Sequence, residues 1–151
     1  MKRAYICGPL AELAPEERDR IRSFYVKIAD LCTEVLGTRG YVPHEKLDPI
    51  DHPLATPEEV DHNDRDQVCN HTSVLIVVAV APSWGGGIEV EMANQSHVPV
   101  IVLCSKSQLA AGKVSRLLRG NPAVKYVIAG GWDTYLLDQL YEVLLEIEIE
   151  Q

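Results

Sequence analysis

The fold of this chain is decided by one stretch, Pro82-Ser83-Trp84-Gly85-Gly86-Gly87-Ile88-Glu89-Val90-Glu91-Met92-Ala93. It follows an unbroken apolar run over residues 74–81, which is typical of a strand buried on both faces of a parallel sheet. Beyond the glycines, Ile88 and Met92 are spaced as on one side of a helix. The stretch therefore predicts a strand, a glycine-rich turn and a helix.

This unit also predicts a ligand site. In an open parallel sheet, ligands bind outside the carboxyl ends of the strands, where the turn is expected to lie. Glycines let the backbone approach a ligand closely, and free N–H groups at a helix start attract anions. We expect Glu89 in the first helical turn, where the dipole favours its ionised form. A charged carboxylate there is a candidate nucleophile, although glutamate also occurs in first turns for stability alone.

Length and charge narrow the classes of function. A chain of 151 residues fits one domain, 1–151, and its net charge of -8 argues against a nucleic-acid partner. No apolar run reaches membrane-spanning length, and the first residues do not resemble a signal peptide. The four cysteines include no CxxC pair, which indicates buried free thiols in a reducing cytosol and a cytoplasmic protein. No dinucleotide, Walker or metal-ligand spacing occurs, so neither cofactor nor metal is expected.

The rest of the chain alternates strands with helices. Strand-like segments lie at 4–7, 41–42, 74–81, 99–104 and 124–128. Helices are predicted from Pro15 to a C-cap at Gly37, from a capping box that begins at Thr56, over 109–118 and after Gly131. The loop 43–55 is long enough to suggest function. This alternation predicts a three-layer, flavodoxin/Rossmann-like α/β domain with a parallel five-stranded sheet.

Three segments in order carry a resemblance to a known family. They are Tyr5-Ile6-Cys7-Gly8, the pattern Pro82-Ser83-x-Gly85-x-Gly87-x-Glu89-x-x-x-Ala93 with Val98-Pro99-Val100-Ile101 after it, and Ser115-x-x-x-Arg119-Gly120. Together they resemble the nucleoside 2-deoxyribosyltransferase-like family. Within it they are similar to the nucleoside 5'-monophosphate N-glycosidases, which include 2'-deoxynucleoside 5'-phosphate N-hydrolases and CMP N-glycosidases.

The resemblance implies a hydrolase that frees the base from a nucleoside monophosphate. Glu89 would attack the anomeric carbon and form a covalent glycosyl-enzyme that water then opens, as in retaining glycosidases. Ser83 stands where the family's transferases tend to carry an aspartate, which would repel a phosphate. A serine hydroxyl can bind one, although Ser83 also suits a plain turn after Pro82.

The resemblance also implies how the phosphate is held. Backbone N–H groups of Gly8, Gly85 and Gly87 would contact it. Ser115 resembles a serine that reaches the phosphate of a neighbouring subunit, which implies a homodimer or higher oligomer; its alternative is a solvent-facing helix serine. The partners expected are thus a nucleotide substrate and a second copy of the chain, with no nucleic acid and no membrane.

The acid that assists departure of the base is open between two residues. The family's spacing from Glu89 falls on Arg65, so either Asp64 or Asp66 fits with a shift of one residue, and we favour Asp66. A general acid needs a pKa raised by burial or by the nearby Glu89. The family's further aspartate just before the central strand is replaced here by Ser73.

Three other residues have two interpretations each. Tyr5 either orients Glu89 or the sugar, or is a core tyrosine of the first strand. His44 either contacts the base or lies exposed in its loop, and Trp84 is either a pocket wall or an oligomer contact. Two alternative functions also remain: a nucleoside 2-deoxyribosyltransferase, and a catalytically silent nucleotide-binding or signalling module on the same fold.

Overall fold

The chain forms a parallel sheet with helices on both faces, as predicted. The computed structural model describes residues 3–150, with side chains to residue 147. The four strands are β1 (Ala4–Cys7), β2 (Val74–Val78), β3 (Val100–Ser105) and β4 (Val124–Gly130). They are parallel and lie side by side in the order β1-β2-β3-β4. The helices are α1 (Pro15–Leu36), α2 (His44–Leu47), α3 (Pro57–His71), α4 (Trp84–Gln95), α5 (Lys106–Ala110), α6 (Arg116–Arg119) and α7 (Thr134–Glu150).

The predicted fifth strand at 41–42 is wrong, because only one residue pairs with the sheet. Tyr41 forms an isolated parallel bridge to Tyr5 at the free edge of β1. Its N–H donates to the carbonyl of Ala4 at 2.8 Å, and its carbonyl accepts from Ile6 at 2.9 Å. Proline at position 43 has no N–H to continue the ladder, and the chain turns at once into α2. The sheet therefore has four strands.

The helix predicted over 109–118 is also wrong, since two short helices occupy that region. α5 ends at Ala110, and Gly112 follows with φ of 70°. This left-handed conformation stops the helix and is one that glycine adopts without strain. α6 then starts after Ser115, whose side chain accepts a hydrogen bond from the N–H of Leu118.

The other helix boundaries follow their local signals. α1 begins with Pro15, and Gly37 caps it in the left-handed conformation. The predicted capping box of α3 is present, because Thr56 and Glu59 each accept the other's backbone N–H. Among the described residues, no helix is long and apolar enough to cross a membrane.

The two faces of the sheet bury different layers. Along β1, Ala4 and Ile6 pack with the residues of α1 and α7, whereas Tyr5 and Cys7 pack with those of α3 and α4. This follows from the alternation of side chains along a strand. Tyr5 is therefore aimed at the layer that contains Glu89 and both candidate acids.

Candidate active site

Glu89 lies in the second turn of α4, so its predicted place in the first turn is wrong. The helix already begins at Trp84 with Ser83 as its N-cap, because the glycines adopt helical geometry and form the first turn themselves. The Glu89 side chain points back along the helix, and a Cβ added at Gly85 would lie 3.8 Å from its Oε1. Glu89 is only 9% exposed.

Burial reverses the expected charge of Glu89. It raises the pKa of Glu89 to about 8, with the Tyr5 hydroxyl opposing the rise and the charge on Asp64 adding to it. The helix dipole was expected to favour the ionised form, but it acts mainly within the first turn, and Glu89 lies beyond that. In the folded protein at neutral pH, Glu89 therefore holds a proton.

Three elements bring three polar groups together around this carboxyl: Glu89 from α4, Asp64 from α3 and Tyr5 from β1. The Tyr5 hydroxyl is close enough to lower the pKa of both Glu89 and Asp64, yet within the described part of the chain neither it nor Glu89 Oε2 makes a hydrogen bond of good geometry, although both are buried. Burial also raises the pKa of Tyr5, so the phenol stays protonated. Buried polar atoms without partners are rare, and they are what a site that awaits a ligand would contain.

The structure brings Asp64, and not Asp66, to Glu89. Two residues apart on a helix, the two aspartates point to opposite sides of α3. Asp66 accepts a hydrogen bond from Asn70 at 2.8 Å and lies 3.4 Å from His71, and its side chain is 45% exposed. The Asn70 bond lowers the pKa of Asp66, which is the reverse of what a general acid needs.

Asp64 has the environment of an acid. Burial raises its pKa, while a hydrogen bond from Asn63 and the nearby Tyr5 hydroxyl lower it in part. Asn63 donates to Asp64 Oδ1 at 3.2 Å and to the Tyr41 hydroxyl at 2.8 Å. Sequence reasoning missed Asn63 and Tyr41, since only the bridge between Tyr41 and Tyr5 brings them to this place.

The turn after β1 has no room for a side chain. Gly8 has φ of 152°, and a Cβ there would lie 2.5 Å from the carbonyl oxygen of Val78 and 2.6 Å from the Tyr25 hydroxyl. Tyr25 donates to the carbonyl of Pro9 at 2.6 Å. Only glycine fits this close approach between the ends of β1 and β2.

His44 is hydrogen-bonded to the same turn. Its Nε2 donates to the carbonyl of Gly8 at 2.9 Å, and its ring lies 5.1 Å from the ring of Tyr25. Burial lowers the pKa of His44, so the ring is neutral at pH 7. His44 is half-buried in α2 and not exposed in a loop. Contact with a base stays a prediction.

Four of the five predicted phosphate residues line an open cavity of about 950 Å³. They are Gly8, Ser83, Gly87 and Ser115, whereas Gly85 is not among the lining residues. Ser83 Oγ accepts the N–H of Gly86 at 3.1 Å, which leaves its hydroxyl proton free for donation. The N–H of Gly87 is already bonded to the carbonyl of Ser83 at 3.1 Å, so Gly87 contributes space and not a donor.

The cavity and the carboxyl cluster are not the same space. Glu89, Asp64 and Tyr5 are absent from the residues that line the cavity. They meet it at the first turn of α4, where Gly85 lies beside Glu89 while Gly86 lines the cavity. The glycines at the start of α4 thus lie between the cavity and the carboxyl cluster.

Comparisons with known proteins identify solved structures with a similar fold. No family model and no curated protein matches the chain. The solved structure of the CMP N-glycosidase BcmB from Clostridium botulinum is similar at 22% identity and a TM-score of 0.59, covering 93% of this chain and 99% of that one. A conserved protein from Enterococcus faecalis V583 is similar at 19% identity and a TM-score of 0.58, covering 100% and 99%. The predicted resemblance to the nucleoside 2-deoxyribosyltransferase-like family is confirmed for the fold.

The raised pKa of Glu89 predicts a pH-dependent gain in stability for Glu89→Gln. Between the usual value of 4.5 and about 8, the folded protein binds a proton that the unfolded chain has lost, so its stability falls as pH rises. Glutamine has no charge to bury. We expect the melting temperature of Glu89→Gln to exceed that of the wild type by roughly 5 °C more at pH 8.5 than at pH 5.

The matched control is Glu91→Gln on the same helix. Hydrogen bonds from Gln95, Asn94 and Asn121 lower the pKa of Glu91, so the stabilisation it provides is present at neutral pH and lost in acid. Its variant should therefore gain nothing as pH rises. If the difference in melting temperature between Glu89→Gln and the wild type stays constant from pH 5 to 8.5, Glu89 is not a buried acid.

Proposed function

We propose that this chain is a nucleoside 5'-monophosphate N-glycosidase, which hydrolyses the N-glycosidic bond to give a free base and (deoxy)ribose 5-phosphate. The observation that carries the proposal is the buried cluster of Glu89, Asp64 and Tyr5 beside the glycines of α4. Its fold is that of the structure described as a CMP N-glycosidase, and its three sequence segments point the same way.

In the first step, an oxygen of ionised Glu89 bonds to the anomeric carbon as the carbon–nitrogen bond breaks. The electron pair of that bond leaves with the base, which takes a proton from Asp64. The reactive form therefore has the proton on Asp64 and the charge on Glu89. Positive charge that develops on the sugar stabilises this arrangement, and the Tyr5 phenol is placed to donate to the Glu89 carboxylate.

In the second step, water attacks the anomeric carbon and releases Glu89. Asp64, now a carboxylate, accepts a proton from that water, so the same residue serves as acid and then as base. The sugar keeps its configuration because the anomeric carbon is displaced twice. The products are sugar phosphate and free base, and the enzyme regains its starting protonation.

The phosphate binds at the cavity end of α4. The N–H of Gly85 belongs to the first turn, where helix N–H groups lack carbonyl partners and the dipole favours an anion. The Ser83 hydroxyl adds a donor in place of the aspartate found in transferases. Gly8 lines the same cavity, so its backbone lies beside the proposed phosphate position.

The proposal is tested by incubating the protein with ribo- and deoxyribonucleoside monophosphates and measuring released base. We expect turnover with at least one monophosphate and none with the matching free nucleoside. Glu89→Gln should lower kcat by about 10³-fold or more, because an amide cannot form the glycosyl-enzyme. Glu58→Gln, an exposed carboxylate of α3, should keep wild-type activity.

Two results would replace the proposal. Exchange of bases between free nucleosides, without hydrolysis of any monophosphate, identifies a 2-deoxyribosyltransferase. Calorimetric binding of a nucleotide with no turnover, unchanged in Glu89→Gln, identifies a silent binding module.

Asp64 is proposed as the acid and base, in place of the Asp66 favoured from sequence. Asp64→Asn should lower kcat by about 10²- to 10⁴-fold, because protonation of the leaving base is lost. Asp66→Asn, on the same helix but turned to solvent, should stay within a few-fold of the wild type. If steady-state kinetics show that Asp66→Asn loses activity and Asp64→Asn does not, Asp66 is the acid and base.

We propose further that the protein acts as a homodimer. Large apolar side chains beside the cavity are exposed, namely Trp84 at 91%, Leu117 at 88% and Ile88 at 56%. Clustered exposed apolar groups are typical of a surface that another protein covers. A partner copy seated here would bring its Ser115 towards the phosphate.

We also propose a cytoplasmic location. All four cysteines are free, which supports a reducing compartment.

Leu117→Asp tests this surface. Placing a charge in the proposed interface should shift sedimentation from dimer to monomer, and activity should fall with the dimer fraction. Leu54→Asp is the matched control, since Leu54 is 93% exposed in the loop after α2, outside the cavity. A wild-type protein that sediments as a fully active monomer would remove the dimer from the mechanism.

A further inference from the structure

We propose that Asn63 is a positioning residue of this site, whose side-chain amide holds Asp64 towards Tyr5 and Glu89. The inference rests on the proposed N-glycosidase function for its catalytic consequence. Its structural part concerns the arrangement of groups alone.

The amide of Asn63 joins the acid to the edge of the sheet. Nδ2 carries two hydrogens, and it donates to Asp64 Oδ1 at 3.2 Å and to the Tyr41 hydroxyl at 2.8 Å. Both donors of the amide are therefore used, and they fix its orientation. Because Oδ1 accepts from Asn63, the other oxygen of Asp64 is the one left to carry the transferred proton.

Tyr41 is itself held from three sides, so it can serve as an anchor. Its ring stacks on the ring of Tyr5 with centroids 5.4 Å apart, and the guanidinium of Arg3 lies 4.8 Å from its centroid. Its backbone is hydrogen-bonded to β1. Tyr41, which lies in the segment predicted as a fifth strand, thus presents a fixed hydroxyl to Asn63.

Groups from three elements surround Asp64 and influence its pKa. On β1, Tyr5 and the thiol of Cys7 face it; on α4, Glu89 does; on α3, Asp61 adds a negative charge. Burial and Asp61 raise the pKa of Asp64, whereas Asn63 and Tyr5 lower it. The guanidinium of Arg3 lies over the ring of Tyr41. Asn63 is thus a donor that stabilises the ionised form, which is the form that Asp64 takes once it has protonated the base.

The chain contains a matched control on the same helix. Asn70 donates to Asp66 at 2.8 Å, as Asn63 donates to Asp64, and its bond lowers the pKa of Asp66. Asp66, however, faces solvent and not Glu89. Asn63→Ala and Asn70→Ala therefore remove the same kind of bond from α3, one inside the site and one outside it.

The experiment is a carboxyl-carbon NMR titration of the wild type and these two variants, combined with the pH dependence of kcat/KM. We expect Asn63→Ala to raise the pKa at which Asp64 titrates and to lower that of Glu89, because Asp64 then carries less negative charge beside Glu89. The kcat/KM should fall roughly 10-fold although the reactive protonation state becomes more populated, because Asp64 is no longer held in place, and its pH profile should move with the titrations. Asn70→Ala should move only Asp66 and leave kcat/KM unchanged.

Tyr41→Phe is the second variant, since it keeps the ring stack and removes only the hydroxyl that anchors Asn63. It should shift Asp64 in the same direction by a smaller amount. If the Asp64 and Glu89 titrations of a folded Asn63→Ala or Tyr41→Phe protein coincide with those of the wild type, the inference is wrong. If the titrations shift but no monophosphate is cleaved by the wild type, the positioning role stands and the N-glycosidase function fails.

Discussion

The burial of the Glu89 carboxyl beside that of Asp64 is the constraint on which the candidate site depends. Glu89 is almost fully enclosed, and Asp64 is half-buried near it. Removing an ionised carboxylate from water is strongly unfavourable, so the folded chain keeps Glu89 protonated in the free state. In the mechanism proposed above, the positive charge that develops on the sugar stabilises the ionised Glu89. Under that proposal, burial explains both the low stability of the free ion and its reactivity towards the sugar.

This arrangement needs a rigid frame, because two carboxyls and a phenol must keep their distances without many bonds between them. Tyr5 is held by its strand and by the ring of Tyr41, and Asp64 by Asn63. Glu89 is held by α4, which packs beside α3. The opposite face of the sheet, covered by α1 and α7, contributes mainly apolar packing, although Tyr25 of α1 also bonds to the turn after β1.

The first turn of α4 joins the two ends of the site. A serine caps it, three glycines form it, and the carboxyl of Glu89 lies behind it. A side chain at Gly85 would stand beside this carboxyl, since a Cβ there would lie 3.8 Å from Glu89 Oε1. The glycines that the sequence places in a turn are thus helical, and Gly85 leaves the space beside Glu89 free of a side chain.

Much of the fold was predictable because its signals are local. The apolar run of β2, the proline start of α1 and the capping box of α3 act within a few residues of themselves, so the sequence by itself determined them. Signals that depend on distant neighbours failed. Residues 41–42 have strand-like composition, but the following proline and the edge of β1 allow one bridge only. Gly112 broke a helix whose apolar periodicity continued across it.

At the site, the sequence by itself determined which chemical groups are present and that Asp64 and Asp66 point to opposite sides of one helix. Only the tertiary structure decided which side faces α4, because the rotation of α3 is set by packing against the sheet. It also decided the protonation of Glu89, since a pKa depends on the water that the whole fold excludes. Identity and spacing are properties of the chain, whereas burial and proximity arise only when distant segments meet.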